Sequence, residues 1–161
     1  MRRILAVTMM VAATALVGCG KTDTKTYSDG KGNNVSVSNA GDHMTITGSN
    51  GEKVEFGTGA SAKMPSYLPL YPGAKVTASF SGQGKDGSGG MVAFHASATP
   101  ADVIAYYKQK AAAVGMADTI NMDAGGTMTY MAANEKTKAT LSVSASKASD
   151  GSDGQVTWGT K

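Results

Sequence analysis

One cysteine, two arginines, three glutamates and one tryptophan are all that 161 residues supply of these types. A single thiol excludes a disulfide framework, so any domain here is held together by packing alone. Aromatic residues make up 6% of the chain, and the core must therefore be assembled from Val, Ala, Met and Leu with a few Tyr and Phe. Scarce glutamate and arginine beside abundant Gly, Ser, Thr and Ala disfavour long charged helices and favour short strands and turns. No basic stripe interleaves with aromatics, so no nucleic-acid partner is expected. The formal net charge of +3 belongs largely to Arg2 and Arg3, because the rest of the chain sets thirteen lysines against twelve acids. The one long apolar stretch, ILAVTMMVAATALV, is shorter than the ~20 residues of a membrane span and contains Thr8 and Thr14.

MRR, the apolar run and the small residues after it read as a signal peptide over residues 1–18. Leu16-Val17-Gly18-Cys19 resembles the lipobox of bacterial lipoproteins. The resemblance implies that the Cys19 thiol is alkylated with diacylglycerol, that the chain is cut before it, and that the new amino terminus is acylated. Two or three acyl chains hold a protein on a bilayer almost permanently, whereas one binds marginally. Gly20 stands where an aspartate would resemble the inner-membrane retention signal of enterobacterial lipoproteins, which points to the periplasmic face of the outer membrane.

Residues 19–31 have no apolar period and are expected to be a lipidated flexible tether. GNNVSV from Gly32, GDHMTI from Gly41 and GEKVEF from Gly51 each read Gly-x-x-apolar-x-apolar. The alternation predicts a small three-strand β meander over 32–57, with Asn50-Gly51 as a hairpin turn and Val35, Val37, Met44, Ile46, Val54 and Phe56 on one side. Three strands are marginal alone, so this unit is expected to dock on the larger domain C-terminal to it. Residues 58–74 contain three of the four prolines and are expected to form a strap packed through Tyr67, Leu68, Leu70 and Tyr71.

Residues 75–161 carry the clearest pattern. KVTASFS places Val76, Ala78 and Phe80 inward and GMVAFHAS places Val92, Phe94 and Ala96 inward, with GQGKDGSGG between them as a hairpin loop. Thr99, Pro100 and Asp102 form a helix start, and the helix should run to about Val114 and end at a left-handed Gly115. Val103, Ile104, Tyr107, Ala111 and Val114 share one face of it. Strands are predicted from Thr127, Lys138 and Gln155. The fold class is therefore α+β: an antiparallel sheet covered on one face by a single helix in the order β-β-α-β-β-β, preceded by the meander. LPLYPGAK, the strand pair and TPADVIAYYKQKAAAVGM over residues 65–158 also resemble a Tyr-Pro-Gly-Ala domain of uncharacterised bacterial lipoproteins and secreted proteins. That resemblance implies this fold and carries no catalytic or binding residue.

Candidate chemistry is thin. Ser88 in DGSGG has the letters of a nucleophile turn in the wrong order, and only His43 and His95, both expected to face solvent, are available as a base. No helix starts at the end of this loop to make it a phosphate cradle. Seven methionines lie beyond Cys19, and Met91 shares a strand face with His95, a pairing that suits Cu(I); with no Met-x-Met or His-x-His pair, methionine as core filler is the preferred reading. Asp118 and Asp123 flank a turn and make no acid–base pair. The expectation is a membrane-anchored envelope lipoprotein, not an enzyme, without a cofactor, that binds another envelope protein or a cell-wall component. The sheet face away from the helix, or an edge strand ending at Trp158, would be its contact surface. The alternative is a periplasmic carrier of a small ligand or copper, in a cleft between the meander and the helix-bearing domain.

Overall fold

The computed structural model describes residues 22–58 and 63–161. The expected signal peptide, residues 1–18, and Cys19 lie outside the described residues. Ten strands and one helix occur in the order β1 (Asp23–Ser28), β2 (Asn34–Ala40), β3 (His43–Gly48), β4 (Lys53–Gly57), β5 (Lys75–Gly84), β6 (Gly87–Ala96), α1 (Pro100–Ala113), β7 (Ala117–Ala124), β8 (Thr127–Asn134), β9 (Ala139–Ala148) and β10 (Gly151–Thr160). All the strands join one antiparallel sheet in the spatial order β1-β2-β3-β4-β5-β6-β10-β9-β8-β7. The chain thus makes one six-strand meander, crosses over by α1 to the far edge, and returns inward by a second meander that closes against β6. The class is α+β, with a single helix on a mostly antiparallel sheet.

Local chemistry sets the helix limits. Thr99 accepts from the Asp102 N–H while Asp102 accepts from the Thr99 N–H, a reciprocal cap, and Pro100 begins the first turn. At the other end Gly115 takes φ 69°, and the N–H groups of Gly115 and Met116 return to the carbonyls of Ala112 and Ala111, a closure that needs a residue without Cβ. Val103, Ile104, Tyr107 and Ala111 are buried against β8, β9 and β10, while Val114, at the cap, is 38% exposed. The core beneath α1 holds Val92, Phe94, Tyr130, Leu141, Val143 and Val156.

The strap lies over this core. Leu68 is fully buried, the Tyr71 N–H donates to the Tyr107 hydroxyl at 3.1 Å, and the Tyr106 hydroxyl donates to the Leu70 carbonyl at 3.3 Å. Tyr106 and Tyr107 meet edge to face at 5.1 Å. Burial pushes both hydroxyls above the ordinary tyrosine range, which keeps them neutral donors and acceptors.

Five expectations need correction. Residues 23–28 are a strand rather than part of a flexible tether: Thr24 and Thr26 pair with Ser38 and Ser36 of β2 at 3.2 and 3.1 Å, and hydroxyl pairs leave no apolar period to read. A further strand, β7, precedes the three expected after the helix, and every residue of it is exposed. The 32–57 meander does not dock as a separate unit, because β4 pairs with β5 and extends the same sheet. The glycine-rich segment is regular strand on both sides of a Lys85-Asp86 turn. Its Gly90 makes room for an aromatic ring, since a Cβ there would come within 2.5 Å of the Trp158 ring; on β10, Gly154 does the same under Phe94.

Alternation in β5 is broken. Val76 pairs with Phe94, but Ala78 pairs with Ala93, so Thr77 is an extra residue in the ladder. A one-residue slip sends every later side chain to the opposite face. Ala78 and Phe80 therefore turn away from the helix, and Ser79 and Ser81 take their place.

Truncation of Ile104, 4% exposed, to Ala is expected to cost about 2–5 kcal/mol in chemical denaturation, the range for a buried large-to-small change. A loss below about 0.5 kcal/mol, as at a surface site, would contradict this packing.

Candidate functional site

Because cross-strand partners share a face, the Thr77 bulge can be traced across the sheet. On the face away from α1, Phe80 sits opposite Phe56, Phe56 opposite Met44, Val54 opposite Ile46, Ile46 opposite Val37, and Val35 opposite Tyr27. The Phe56 and Phe80 rings are 5.3 Å apart. Tyr27 is 59% exposed, Val35 40%, Phe80 38% and Phe56 36%. The other face of the same strands presents Thr24, Thr26, Ser36, Ser38, Thr45, Thr47, Ser79 and Ser81 by the same registers. On β8, β9 and β10 the assignment is reversed: the apolar side is under the helix, and Thr129, Ser142, Ser144 and Thr157 lie on the far side. The sheet exchanges its apolar face at β5, and α1 covers only one half of it. A contiguous apolar stripe crossing five strands is the kind of surface that marks an interaction site.

A second feature lies on the helix side, where the strap leaves β4. A cavity of about 250 Å³ is lined by Lys53, Glu55, Lys63, Gln83, Ser88 and Trp158, among others. Glu55 is buried, with both Lys53 Nζ at 2.6 Å and Lys63 Nζ at 2.7 Å from its Oε1. Hydrogen bonds from Lys53 first and Lys63 second hold its carboxyl below the ordinary glutamate value, against the opposing effect of burial. Two ammonium groups sharing one carboxylate leave a local excess of positive charge at the cavity wall. The signal for this site in the sequence is faint: KVEF reads as a strand whose Val54 and Phe56 draw attention, while its alternate residues Lys53 and Glu55 make the ion pair.

The residues singled out from the sequence are not brought together. Ser88 lies in β6, its hydroxyl 2.9 Å from the Thr160 hydroxyl. His95 faces away from Val92 and Phe94 as expected, yet it is only 26% exposed: Nδ1 is 2.9 Å from Asp153 Oδ1, and Nε2 is 3.3 Å from Asp150 Oδ1, near enough for attraction without hydrogen-bond alignment. Both ring nitrogens thus face carboxylates rather than Met91. His43, also expected in solvent, is half-buried; its Nε2 is 3.2 Å from Thr45 Oγ1 and its Nδ1 is enclosed. Among the described residues no three His, Cys, Asp or Glu side chains are grouped to hold a metal. Asp118 and Asp123 are separated by the β7 bulge, and Asp118 Oδ1 accepts from the buried Tyr130 hydroxyl at 2.8 Å. The strand ending at Trp158 is central, between β6 and β9, because the second meander runs inward from β7; the sheet edges are β1 and β7.

Compared with protein-family models, with curated proteins and with solved structures, the chain matches none.

The Glu55 cluster has a pH signature. A carboxyl held below its unfolded value of 4.5 stabilises the fold above that pH and ceases to as pH falls through the folded value. Glu55→Gln should cost about 1–2 kcal/mol at pH 7, limited by water around the Lys53 and Lys63 side chains, which are 44% and 63% exposed. The gap between the two proteins should close on acidification through the carboxylate range. Urea titrations over that range test this, and a gap independent of pH would contradict the ion-pair assignment.

Proposed function

We propose that the protein is a lipid-anchored lipoprotein of the cell envelope, held through Cys19 on the periplasmic face of the outer membrane, and that it works as a non-enzymatic interaction module. The observation that carries the reading is the exposed apolar face of β1–β5. A folded sheet that leaves Phe56, Phe80, Val35 and Tyr27 in water on one face keeps a contact surface at some cost in solubility. The side chains with catalytic letters support the same reading, since Ser88 and His95 are engaged in cross-strand pairs with Thr160 and Asp153. Lipobox and stripe fit together: acylation places the module at a membrane, and the stripe then needs no strong affinity of its own. A second reading, binding of a small polar or anionic ligand, is favoured by the cavity with Lys53 and Lys63 on its wall.

Complementation of a deletion strain tests the first reading. Cys19→Ser and the double variant Phe56→Gln/Phe80→Gln should each fail to complement, whereas His43→Ala/His95→Ala should complement fully. Failure of the histidine variant while it remains folded and lipidated would overturn the reading, because loss of a general base costs about 10²–10⁴ in rate and loss of a bystander nothing.

A further inference from the structure

We infer that the far face of β1–β5 lies on the lipid bilayer itself, an assignment that rests on the Cys19 anchor reading and names the surface's occupant. Chain length carries it. The sheet begins at Asp23, so only Gly20, Lys21 and Thr22 separate its first strand from the acylated residue. Fully extended at about 3.3–3.6 Å per residue, that connection spans at most about 14 Å. Strands are spaced about 4.8 Å apart, which puts the stripe out to β4 within the same distance of the anchored edge. Half of the expected dozen-residue stalk, residues 23–28, is β1 instead.

The composition of the face agrees. Tyr27 is of the kind that sits at headgroup level, and Phe56 and Phe80, with Val35, Val37, Met44, Ile46 and Val54, supply apolar surface that enters the acyl boundary. By register, its charges stay at the rim: Asp23 and Lys25 on the edge strand, and Lys75 before the bulge. Lys25 can lie along apolar surface with its ammonium at the phosphates. The helix, the strap and the Lys53–Glu55–Lys63 cavity occupy the other side of the sheet, so a bilayer on the far face leaves them open to the periplasm. An anchored face loses no further translational entropy on contact, so a shallow stripe is sufficient where a free protein would need a deeper one.

The test uses the full chain purified from bacterial membranes and reconstituted in vesicles of phosphatidylethanolamine and phosphatidylglycerol. With Cys19 acylated, an introduced cysteine is the only free thiol. An environment-sensitive nitrobenzoxadiazole label is placed through Ile46→Cys on the far face or through Thr47→Cys, its neighbour on the other face of β3. The mass of the N-terminal peptide reports acylation independently. The expected result is an acylated peptide, with label emission rising about threefold and shifting blue at position 46 as the probe enters the headgroup boundary, and little change at position 47. Val35→Cys, also on the far face, serves if Ile46→Cys melts early. Equal or absent responses on an acylated protein would overturn bilayer docking and leave the anchor standing. A response at position 46 that depends on protein concentration without vesicles would give the face to a second copy and overturn docking too. An unmodified Cys19 would overturn the anchor reading and this assignment with it.

Discussion

The extra residue Thr77 in β5 governs the arrangement of everything around it. Side chains in a strand alternate with a period of two, and one inserted residue inverts that alternation for the remainder of the strand and for every strand that pairs with it. Beyond the bulge, Ser79 and Ser81 face the helix side and Phe80 the other. β4, β3, β2 and β1 inherit the inverted phase through direct pairing. The one helix covers β8, β9 and β10, so the inverted half has nothing over its apolar side among the described residues. A four-strand extension of this kind is stabilised by its edge-to-edge bonds to β5 rather than by a second layer, which accounts for the largely half-buried and exposed side chains of β2–β4.

Much of the helix-bearing half was legible because its signals are local and agree with one another. The Thr99 cap, Pro100, the spacing of Val103, Ile104, Tyr107 and Ala111, and the terminal Gly115 all indicate the same helix, and Val92, Phe94 and Ala96 alternate on the face it covers. Where the reading failed, a non-local fact decided. The bulge at Thr77 leaves KVTASFS looking like a continuous alternation; only the partner strand reveals the slip. The edge strands β1 and β7 carry exposed polar and apolar residues without period, since neither face is buried. The glycines of residues 82–90 look like a loop until Trp158 is seen to need the space above Gly90.

The candidate site was half legible for the same reason. Val35, Val37, Met44, Ile46, Val54 and Phe56 are grouped correctly by alternation, but alternation says nothing of whether another layer covers them. Phe80 joins the group only through the bulge. Glu55 is one of three glutamates in the chain, and its partner Lys63 comes from the strap, a contact that no spacing within β4 discloses.

Inversion of the sheet at Thr77 is the claim on which the surface assignment depends, and side-chain nuclear Overhauser contacts of Phe80 measure it most directly. The account predicts strong contacts from the Phe80 ring to the Phe56 ring and the Met91 methyl, with none to Leu68 or Tyr107 beneath the helix. Contacts from Phe80 to Leu68 or Tyr107, with Phe56 isolated from it, would mean that β5 keeps a single phase and that the apolar stripe of β1–β5 does not exist as described.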